Sequence, residues 1–171
     1  MKSTPGIIML IFFVILIAIK TQAQHAGIFI HAIYAAPAGG ISNDFYNDGA
    51  GAEGGILAGK KSTRFAGSVG YSRFFAKDNT NIYGDKTYVP VKVGVRQYLP
   101  LNFIFLQADA GIGFVSQEHS ADSENPFTYD FQAGVKFAAF EALIGWDNFH
   151  ANNLSGWSSW FTVKAGINLG F

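Results

Sequence analysis

Apolar residues occupy every second position over most of the chain after residue 24. Segment 161–171 reads FTVKAGINLGF, in which every second residue is apolar and the residues between are polar or glycine. Segments 127–137 and 89–96 follow the same pattern. A period of two is that of a β-strand with two unlike faces, whereas an amphipathic helix repeats every 3.6 residues. No helical period is present after residue 24, and we therefore expect an all-β domain.

The alternation divides this domain into eight predicted strands. Four of the connections between them are long and polar, three are short, and the two kinds alternate along the chain. Long connections at one end and short turns at the other are typical of an antiparallel up-and-down barrel. The predicted strands cover 26–36, 50–59, 64–75, 88–98, 103–115, 127–138, 140–147 and 158–171. The long connections are 36–49, 76–87, 116–126 and 148–157, and the short ones are 60–63, 99–102 and 139.

Composition indicates which face of the strands points outward. Only 14% of the residues are charged and 49% are hydrophobic, so few charges are present to cover the outside of a soluble barrel. In a membrane barrel the apolar face meets the bilayer and the polar face lines the interior. We therefore predict a lumen network of paired charges, because buried charges need several partners to offset desolvation. Its predicted members are five acids and five bases: Glu53, Arg64, Lys92, Arg96, Asp109, Asp130, Lys136, Glu141, Asp147 and Lys164.

An unbroken apolar run at 6–19 precedes the predicted strands. Lys2 stands before this run, and small residues follow it. A membrane-spanning helix needs about 20 apolar residues, so the shorter run fits a secretory signal peptide better. We predict a signal peptide at 1–23 and an outer-membrane barrel domain at 24–171, with cleavage after Ala23 or one residue later. A retained N-terminal anchor is the alternative.

Composition also argues against several kinds of site. The chain has no cysteine, which excludes disulfides, thiolate metal sites and thiol catalysis. Basic and acidic residues number 12 each, which argues against a nucleic-acid partner. Glu118, Asp122, Glu124 and segment 77–85 offer oxygen atoms of the kind that calcium or magnesium prefers, but their spacing matches no EF-hand. We expect ordinary hydrated loops, no metal and no cofactor.

Two histidines are the candidates for catalysis. His150 has Asp147 and Ser155 close in sequence, and His119 lies among the serines and acids of 116–122. A hydrolase or acyltransferase would need a histidine beside a nucleophile and a carboxylate. Neither group matches a known motif, and proximity in sequence does not establish such geometry. We expect solvated loop residues and no enzymatic activity.

The interior of an eight-stranded barrel holds little more than its own side chains. Glycines on the polar face, at 111, 113, 134, 145, 166 and 170, are therefore expected to give steric relief, whereas those at 39, 40, 49, 51 and 84 are expected to lie in loops. Phe29, Tyr88 and Phe105 are expected to fill the interior beside the charges, and His31 to form hydrogen bonds there. Aqueous channels use about 16 strands, so a general diffusion porin is not expected.

Two segments and the last residue carry a family resemblance. Segment 90–98 reads PVKVGVRQY, segment 106–113 reads LQADAGIG, and alternating hydrophobics lead to Phe171. These patterns resemble the small outer-membrane β-barrel family that includes OmpX-like proteins and the OmpA transmembrane domain. The resemblance implies that Phe171 belongs to an insertion signal read by the outer-membrane insertion machinery. It also implies contact with outer-membrane lipids and lipopolysaccharide.

With both termini in the periplasm, an even number of strands places the four long connections outside the cell. Aromatic residues are then expected in two girdles at the bilayer interfaces. The outer girdle is predicted at Tyr34, Tyr71, Phe114, Tyr129 and Trp157, and the inner girdle at Phe65, Phe103, Phe137, Phe140 and Phe171.

The functional hypothesis is a non-enzymatic outer-membrane barrel with a closed polar lumen. Such a protein would contribute to envelope integrity and to surface interaction or adhesion, with an envelope or host-surface protein as an unidentified partner. A lipid-modifying enzyme of the lipid A deacylase or acyltransferase type is the first alternative. A small pore and a soluble lipocalin-like binder are the others, and the binder requires the opposite inside–outside assignment.

Overall fold

The computed structural model of the chain describes residues 25–60, 62–77, 84–118, 123–151 and 156–170. The predicted signal peptide and Phe171 lie outside these residues. Eight long strands and one short helix make up most of the described chain. The elements are β1 His25–Gly40, α1 Ile41–Phe45, β2 Tyr46–Gly59, β3 Thr63–Ala76, β4 Lys86–Tyr98, β5 Ile104–Gln117, β6 Phe127–Phe137, β7 Phe140–Ala151 and β8 Gly156–Gly170.

The strands form a closed antiparallel barrel. Each strand pairs with its neighbour in the chain, and β1 pairs with β8 over 27–40 and 158–170, which closes the sheet. The prediction of an all-β, eight-stranded, up-and-down barrel is confirmed. Short turns follow β2, β4 and β6, and we call this end of the barrel the turn end. The opposite end, which carries α1 and the longer connections, is the outer end.

The sequence reading was wrong about the first long connection. Strand β1 continues to Gly40 and β2 begins at Tyr46, so only the five-residue helix α1 joins them. Gly39 and Gly40 have φ angles of 143° and 62°, which an L side chain rarely adopts, and the chain leaves the sheet there. Ser42 fixes the helix by donating its hydroxyl to the carbonyl oxygens of Gly39 and Ser159, at 2.6 and 2.7 Å. No helix among the described residues is long and apolar enough to cross a membrane.

Other strands also run further than predicted at the outer end. Strand β7 continues to Ala151 and β8 begins at Gly156, so the fourth connection is shorter than the predicted 148–157. Gly49 and Gly51 lie inside β2 and not in a loop, because Gly49 pairs with Phe74 and Gly51 with Ser72 of β3. The third connection contains a two-residue strand, Ser123–Glu124, which pairs with β5.

The apolar face of the barrel points outward. Val93 is 69% exposed and Phe131 is 62% exposed, whereas the inward-facing Lys92 and Gln132 beside them are buried. The predicted girdle residues within the described chain also lie on the outer surface, where Tyr129 contacts Trp157 edge-on at 5.5 Å. Large apolar side chains are exposed on every strand. Examples are Ile30, Ile56, Val69, Val93, Leu106, Phe131, Ile144 and Val163.

Three apolar clusters fill the lumen together with the polar groups described below. The largest closes the outer end, and within it Phe74 and Trp160 stack at 3.8 Å between ring centroids. The second combines Phe29, Leu57 and Ala66. The third lies towards the turn end and consists of Tyr98, Phe105 and Leu143.

Most of the inward-facing glycines are required for space. A Cβ atom at Gly113 would overlap the ring of Tyr88, and one at Gly134 would overlap the ring of Phe105. Gly170 is different, because a Cβ there meets nothing closer than 3.7 Å. Its predicted role in steric relief is therefore wrong.

Candidate functional site

The lumen contains a continuous chain of charged hydrogen bonds that begins on β8. Lys164 Nζ donates to Glu53 Oε2 at 2.7 Å, and Glu53 Oε1 lies 3.0 Å from His31 Nδ1. The other ring nitrogen of His31, Nε2, lies 3.2 Å from Glu141 Oε2, and Arg96 Nη1 donates to Glu141 Oε1 at 2.7 Å. His31, Glu141 and Arg96 are almost completely buried. Five residues from β8, β2, β1, β7 and β4 thus form one line across the barrel.

The same chain of hydrogen bonds continues through two glutamines. Arg96 Nε donates to Gln107 Oε1 at 2.6 Å, and Gln107 Nε2 donates to Asp109 Oδ2 at 2.7 Å. Gln132 Nε2 then bridges two carboxylates, at 3.0 Å from Asp109 Oδ2 and 2.6 Å from Asp130 Oδ1. The amides therefore join the histidine-centred line to the carboxylates of β5 and β6.

Lys92 ends the line by holding two carboxylates. Its Nζ lies 2.6 Å from Asp130 Oδ2 and 2.6 Å from Asp147 Oδ2, and all three side chains are buried. Thr128 supports this end, since its hydroxyl donates to the carbonyl oxygen of Asn148 at 2.9 Å and forms a hydrogen bond with the Tyr88 hydroxyl. Burying charged groups costs free energy unless each of them is paired. In this cluster the ammonium of Lys92 pairs with the carboxylates of both Asp130 and Asp147.

Seven of the ten predicted lumen charges form ion pairs: Glu53, Lys92, Arg96, Asp130, Glu141, Asp147 and Lys164. The other three have different contacts. Asp109 accepts hydrogen bonds from the two glutamines, Lys136 Nζ donates to the Asn168 carbonyl oxygen at 3.2 Å, and the Arg64 guanidinium lies 4.9 Å from the centre of the Tyr98 ring. The expected pairing of each acid with a base is therefore incomplete.

Several uncharged members of the network were missed by the sequence reading. Gln107, Gln132, Asn168 and Thr128 lie on the inward face of their strands, so the two-residue alternation could have identified them. Lys86 was also missed, because it lies in the predicted second connection. Its buried ammonium lies over the rings of Tyr46 and Phe149, at 4.5 and 5.5 Å from their centres.

One cavity among the described residues lies beside these groups. A cavity of about 10 Å³ borders Glu53, Lys92, Asp147 and Thr162 below the aromatic cluster of the outer end. This volume holds about one water molecule. Thr162 Oγ1 is buried without a hydrogen-bond partner, so it is a suitable contact for such a water.

The histidine candidates for catalysis do not form a triad within the described residues. Asp147 points into the lumen and binds Lys92, whereas the ring of His150 contacts Trp157 edge-on at 5.2 Å, in the outward aromatic girdle. The two side chains thus lie on opposite faces of β7. His119, Asp122 and Ser155 lie outside the described residues. Within the described part of the chain, no three His, Asp or Glu side chains are grouped so that they could hold a metal ion.

Comparison with solved structures relates the fold of the chain to that of two bacterial proteins. The Yersinia pestis outer membrane protein Ail in a phospholipid bilayer nanodisc superposes with a TM-score of 0.57 and 14% identity, over 85% of this chain and 99% of that one. Ail in complex with the heparin analogue sucrose octasulfate gives a TM-score of 0.54 at 14% identity, over 86% and 99% of the two chains. Neisserial surface protein A gives 0.55 at 11% identity, over 85% and 95%.

No protein-family model matches the chain, and no curated protein matches its sequence. At identities of 11 to 14%, the similar structures show a shared fold and do not establish a shared activity. The chain therefore has the eight-stranded barrel architecture of Ail and Neisserial surface protein A.

Proposed function

We propose that this chain is a non-enzymatic, integral outer-membrane barrel with a closed lumen. The observation that carries the proposal is the apolar outer face, which extends over all eight strands and surrounds a polar interior. A soluble barrel, including the lipocalin-like alternative, would have the reverse arrangement. The fold shared with an outer-membrane protein studied in a bilayer nanodisc supports this location.

The orientation in the membrane is part of the same proposal. His25 and Gly170 lie at the turn end, and in barrels of this kind the short turns face the periplasm. The outer end would then face the surroundings of the cell. The proposal includes a signal peptide at 1–23 and recognition of Phe171 by the insertion machinery.

A structural role in the envelope fits the filled lumen better than transport. Aromatic rings close the outer end, and the interior is occupied by the hydrogen-bonded charges. The chain would support membrane integrity through contact with outer-membrane lipids and lipopolysaccharide, and its outer end would contact an envelope or host-surface partner.

The charge of the outer end indicates what kind of partner it favours. Five acidic residues of the described chain lie there, Asp44, Asp48, Asp85, Glu118 and Glu124, against the bases Arg73, Lys77 and Lys86. This excess of negative charge disfavours sulfated polyanions such as the heparin analogue seen with Ail. We therefore propose a partner that is neutral or basic.

Membrane fractionation tests the location. Outer membranes are washed with carbonate and then with urea, and the protein is followed by gel electrophoresis with and without boiling. We expect the protein to stay in the membrane pellet and to migrate differently after boiling, because the barrel resists detergent unfolding at room temperature. Release into the carbonate or urea supernatant would refute an integral barrel.

A deletion strain tests the role. We expect increased sensitivity to detergent and bile salts, restored by the wild-type chain, with an unchanged lipid A acylation pattern in mass spectra. An altered acylation pattern that His150→Ala fails to restore would favour the enzymatic alternative instead.

A further inference from the structure

Positive charge accumulates in the lumen at the turn end. Arg64 on β3 lies directly opposite Arg96 on β4 in the strand register. Lys136 on β6 lies within electrostatic range of both guanidinium groups and of Glu141. Like charges opposite each other on neighbouring strands are destabilising unless an anion compensates them.

Glu141 is the one carboxylate within this group of described residues, and its oxygens are already occupied. Its Oε1 accepts hydrogen bonds from Arg96 Nη1 at 2.7 Å and from Asn168 Nδ2 at 2.6 Å, and its Oε2 faces His31 Nε2 at 3.2 Å. Arg64 forms no ion pair with any described residue, and Lys136 donates to a backbone carbonyl. Arg64, Arg96 and Lys136 therefore share with His31 a single nearby carboxylate, which leaves an excess of positive charge at this end.

Three hydrogen-bond donors of the same group have no partner among the described residues. They are Arg64 Nε, Arg96 Nη2 and the Tyr98 hydroxyl. The side chains of Arg96 and Tyr98 are 0% and 5% exposed. A buried donor without an acceptor costs free energy, and a charged one costs more.

Two neighbouring aromatic rings connect the side chains that carry these donors. The Arg64 guanidinium is 4.9 Å from the centre of the Tyr98 ring, and the Arg96 guanidinium is 4.1 Å from that of Phe105. The Tyr98 and Phe105 rings are themselves 5.4 Å apart. Arg64 is only half-buried, so part of its side chain is accessible, whereas Arg96 and Tyr98 lie deeper.

We propose that the turn end of the lumen binds a phosphate-type oxyanion through Arg64, Arg96 and Tyr98, with Lys136 supplying further positive charge. A doubly charged oxyanion would offset this excess of positive charge, and its several oxygen atoms can accept hydrogen bonds from these donors. The planar guanidinium fork binds such groups in a bidentate manner, which a single ammonium cannot do. The phosphate group could belong to a free ion or to a small phosphate ester.

Calorimetric titration tests the site on the protein purified from membranes in octyl glucoside, a detergent without phosphate. Inorganic phosphate and glycerol 3-phosphate are titrated separately at constant ionic strength, with chloride as the reference anion. We expect saturable binding of phosphate together with shifts of the Arg64 and Arg96 side-chain resonances in ¹⁵N spectra. Equal affinity for the ester would assign the site to phosphate monoesters, and binding of inorganic phosphate alone would assign it to the free ion.

Four variants connect the binding to the proposed residues. Arg64→Gln is expected to weaken phosphate binding at least tenfold, and Arg64→Lys less, because lysine keeps the charge but loses the fork. Tyr98→Phe removes one hydroxyl without changing the packing and is expected to weaken binding at least threefold. The control is Arg73→Gln at the outer end, where Arg73 Nε pairs with Asp85 at 2.9 Å, and its affinity should stay within twofold of wild type.

The heat-dependent shift in gel migration serves as the folding control for each variant. If Arg64→Gln does not fold, Tyr98→Phe decides the outcome. The proposal is overturned if neither anion gives saturable binding, or if folded Arg64→Gln or Tyr98→Phe binds phosphate as wild type does. None of these outcomes depends on the role of the protein in the membrane.

Discussion

At the scale of single residues, Lys92 is the cation that joins two carboxylates of the lumen. Its ammonium contacts both Asp130 and Asp147 at 2.6 Å, and these aspartates lie directly opposite each other on β6 and β7. Two carboxylates in this position repel each other without a cation between them. The lysine therefore compensates a repulsion that the strand register itself creates.

We predict that Lys92→Met destabilises the barrel by about 3–5 kcal/mol, the usual cost of removing one partner from a buried ion pair. The measurement is urea unfolding in detergent micelles or lipid vesicles. Lys60→Met, at an exposed position, is the control and should change stability little. The triple change Lys92→Met, Asp130→Asn and Asp147→Asn should recover most of the loss, and the explanation fails if it does not.

The positions of two carboxylates around His31 indicate how many protons its ring carries. Each of its ring nitrogens faces a carboxylate oxygen, at 3.0 Å for Glu53 and 3.2 Å for Glu141. A neutral imidazole has one N–H group and one lone pair, so it could donate to only one of them. We predict that both nitrogens carry a proton at neutral pH. Two-bond ¹H–¹⁵N spectra of histidine-labelled protein check this, and a neutral-tautomer pattern for His31 would contradict it.

At the scale of strands, the inward glycines determine how closely neighbouring side chains pack. Gly134 on β6 lies against the ring of Phe105, whereas a Cβ atom at Gly170 on β8 would make only an ordinary contact, at 3.7 Å from the Ala26 carbonyl oxygen. We predict that Gly134→Ala destabilises the barrel by about 1–3 kcal/mol, as overpacking usually does. The matched control Gly170→Ala should be neutral or slightly stabilising. Urea unfolding measures both, and equal effects would contradict the steric explanation.

The connection between β3 and β4 depends on Asp85. Its carboxylate accepts a hydrogen bond from the Ala76 backbone N–H at 3.0 Å and one from Arg73 Nε at 2.9 Å. The backbone hydrogen bond from Ala76, together with Arg73, holds the pKa of Asp85 below its ordinary value of 3.8. The contribution of Asp85 to stability is therefore present above about pH 4, near the unfolded pKa, and is lost as the pH falls through the lower folded pKa.

We predict that Asp85→Asn lowers stability at pH 7 and that the difference from wild type disappears in acid, below the folded pKa. Unfolding curves of both proteins between pH 7 and pH 2 measure this difference. Glu118→Gln is the control, because the Glu118 carboxylate is 3.6 Å from Arg73 and more exposed, and its effect should be smaller. A difference that persists unchanged at pH 2 would rule out the proposed linkage.

At the scale of the whole molecule, the outward face distinguishes a membrane barrel from a soluble one. Val93 lies in the middle of β4 and Leu101 in the turn after it, and both are more than 60% exposed. In lipid, an arginine costs about 2–4 kcal/mol at the bilayer centre and about 0–1 kcal/mol near the interface. We therefore predict that Val93→Arg destabilises the barrel by about 2–4 kcal/mol and Leu101→Arg by about 0–1 kcal/mol. Unfolding of both variants in lipid vesicles measures these costs. Equal costs at the two positions would argue against a bilayer around the barrel.

The sequence by itself determined the number of strands, their order and the face that points outward. These features are local: the period of two fixes the two faces of a strand, and the lengths of the connections fix the up-and-down order. The sequence did not predict where β1, β2, β7 and β8 begin or end at the outer end of the barrel, because Gly- and Ala-rich segments such as 49–55 have little alternation. Their strand conformation depends on backbone hydrogen bonds to neighbours distant in the chain.

Only the tertiary structure decided which charges meet in the lumen. Lys92 on β4 reaches Asp147 on β7, and Glu53 on β2 reaches Lys164 on β8, although neither pair lies on adjacent strands. Such contacts depend on the stagger of the closed sheet and on the reach of side chains across the barrel, which no local pattern contains. For the same reason, the equal numbers of acids and bases did not reveal that Arg64, Arg96 and Lys136 gather at one end with a single carboxylate.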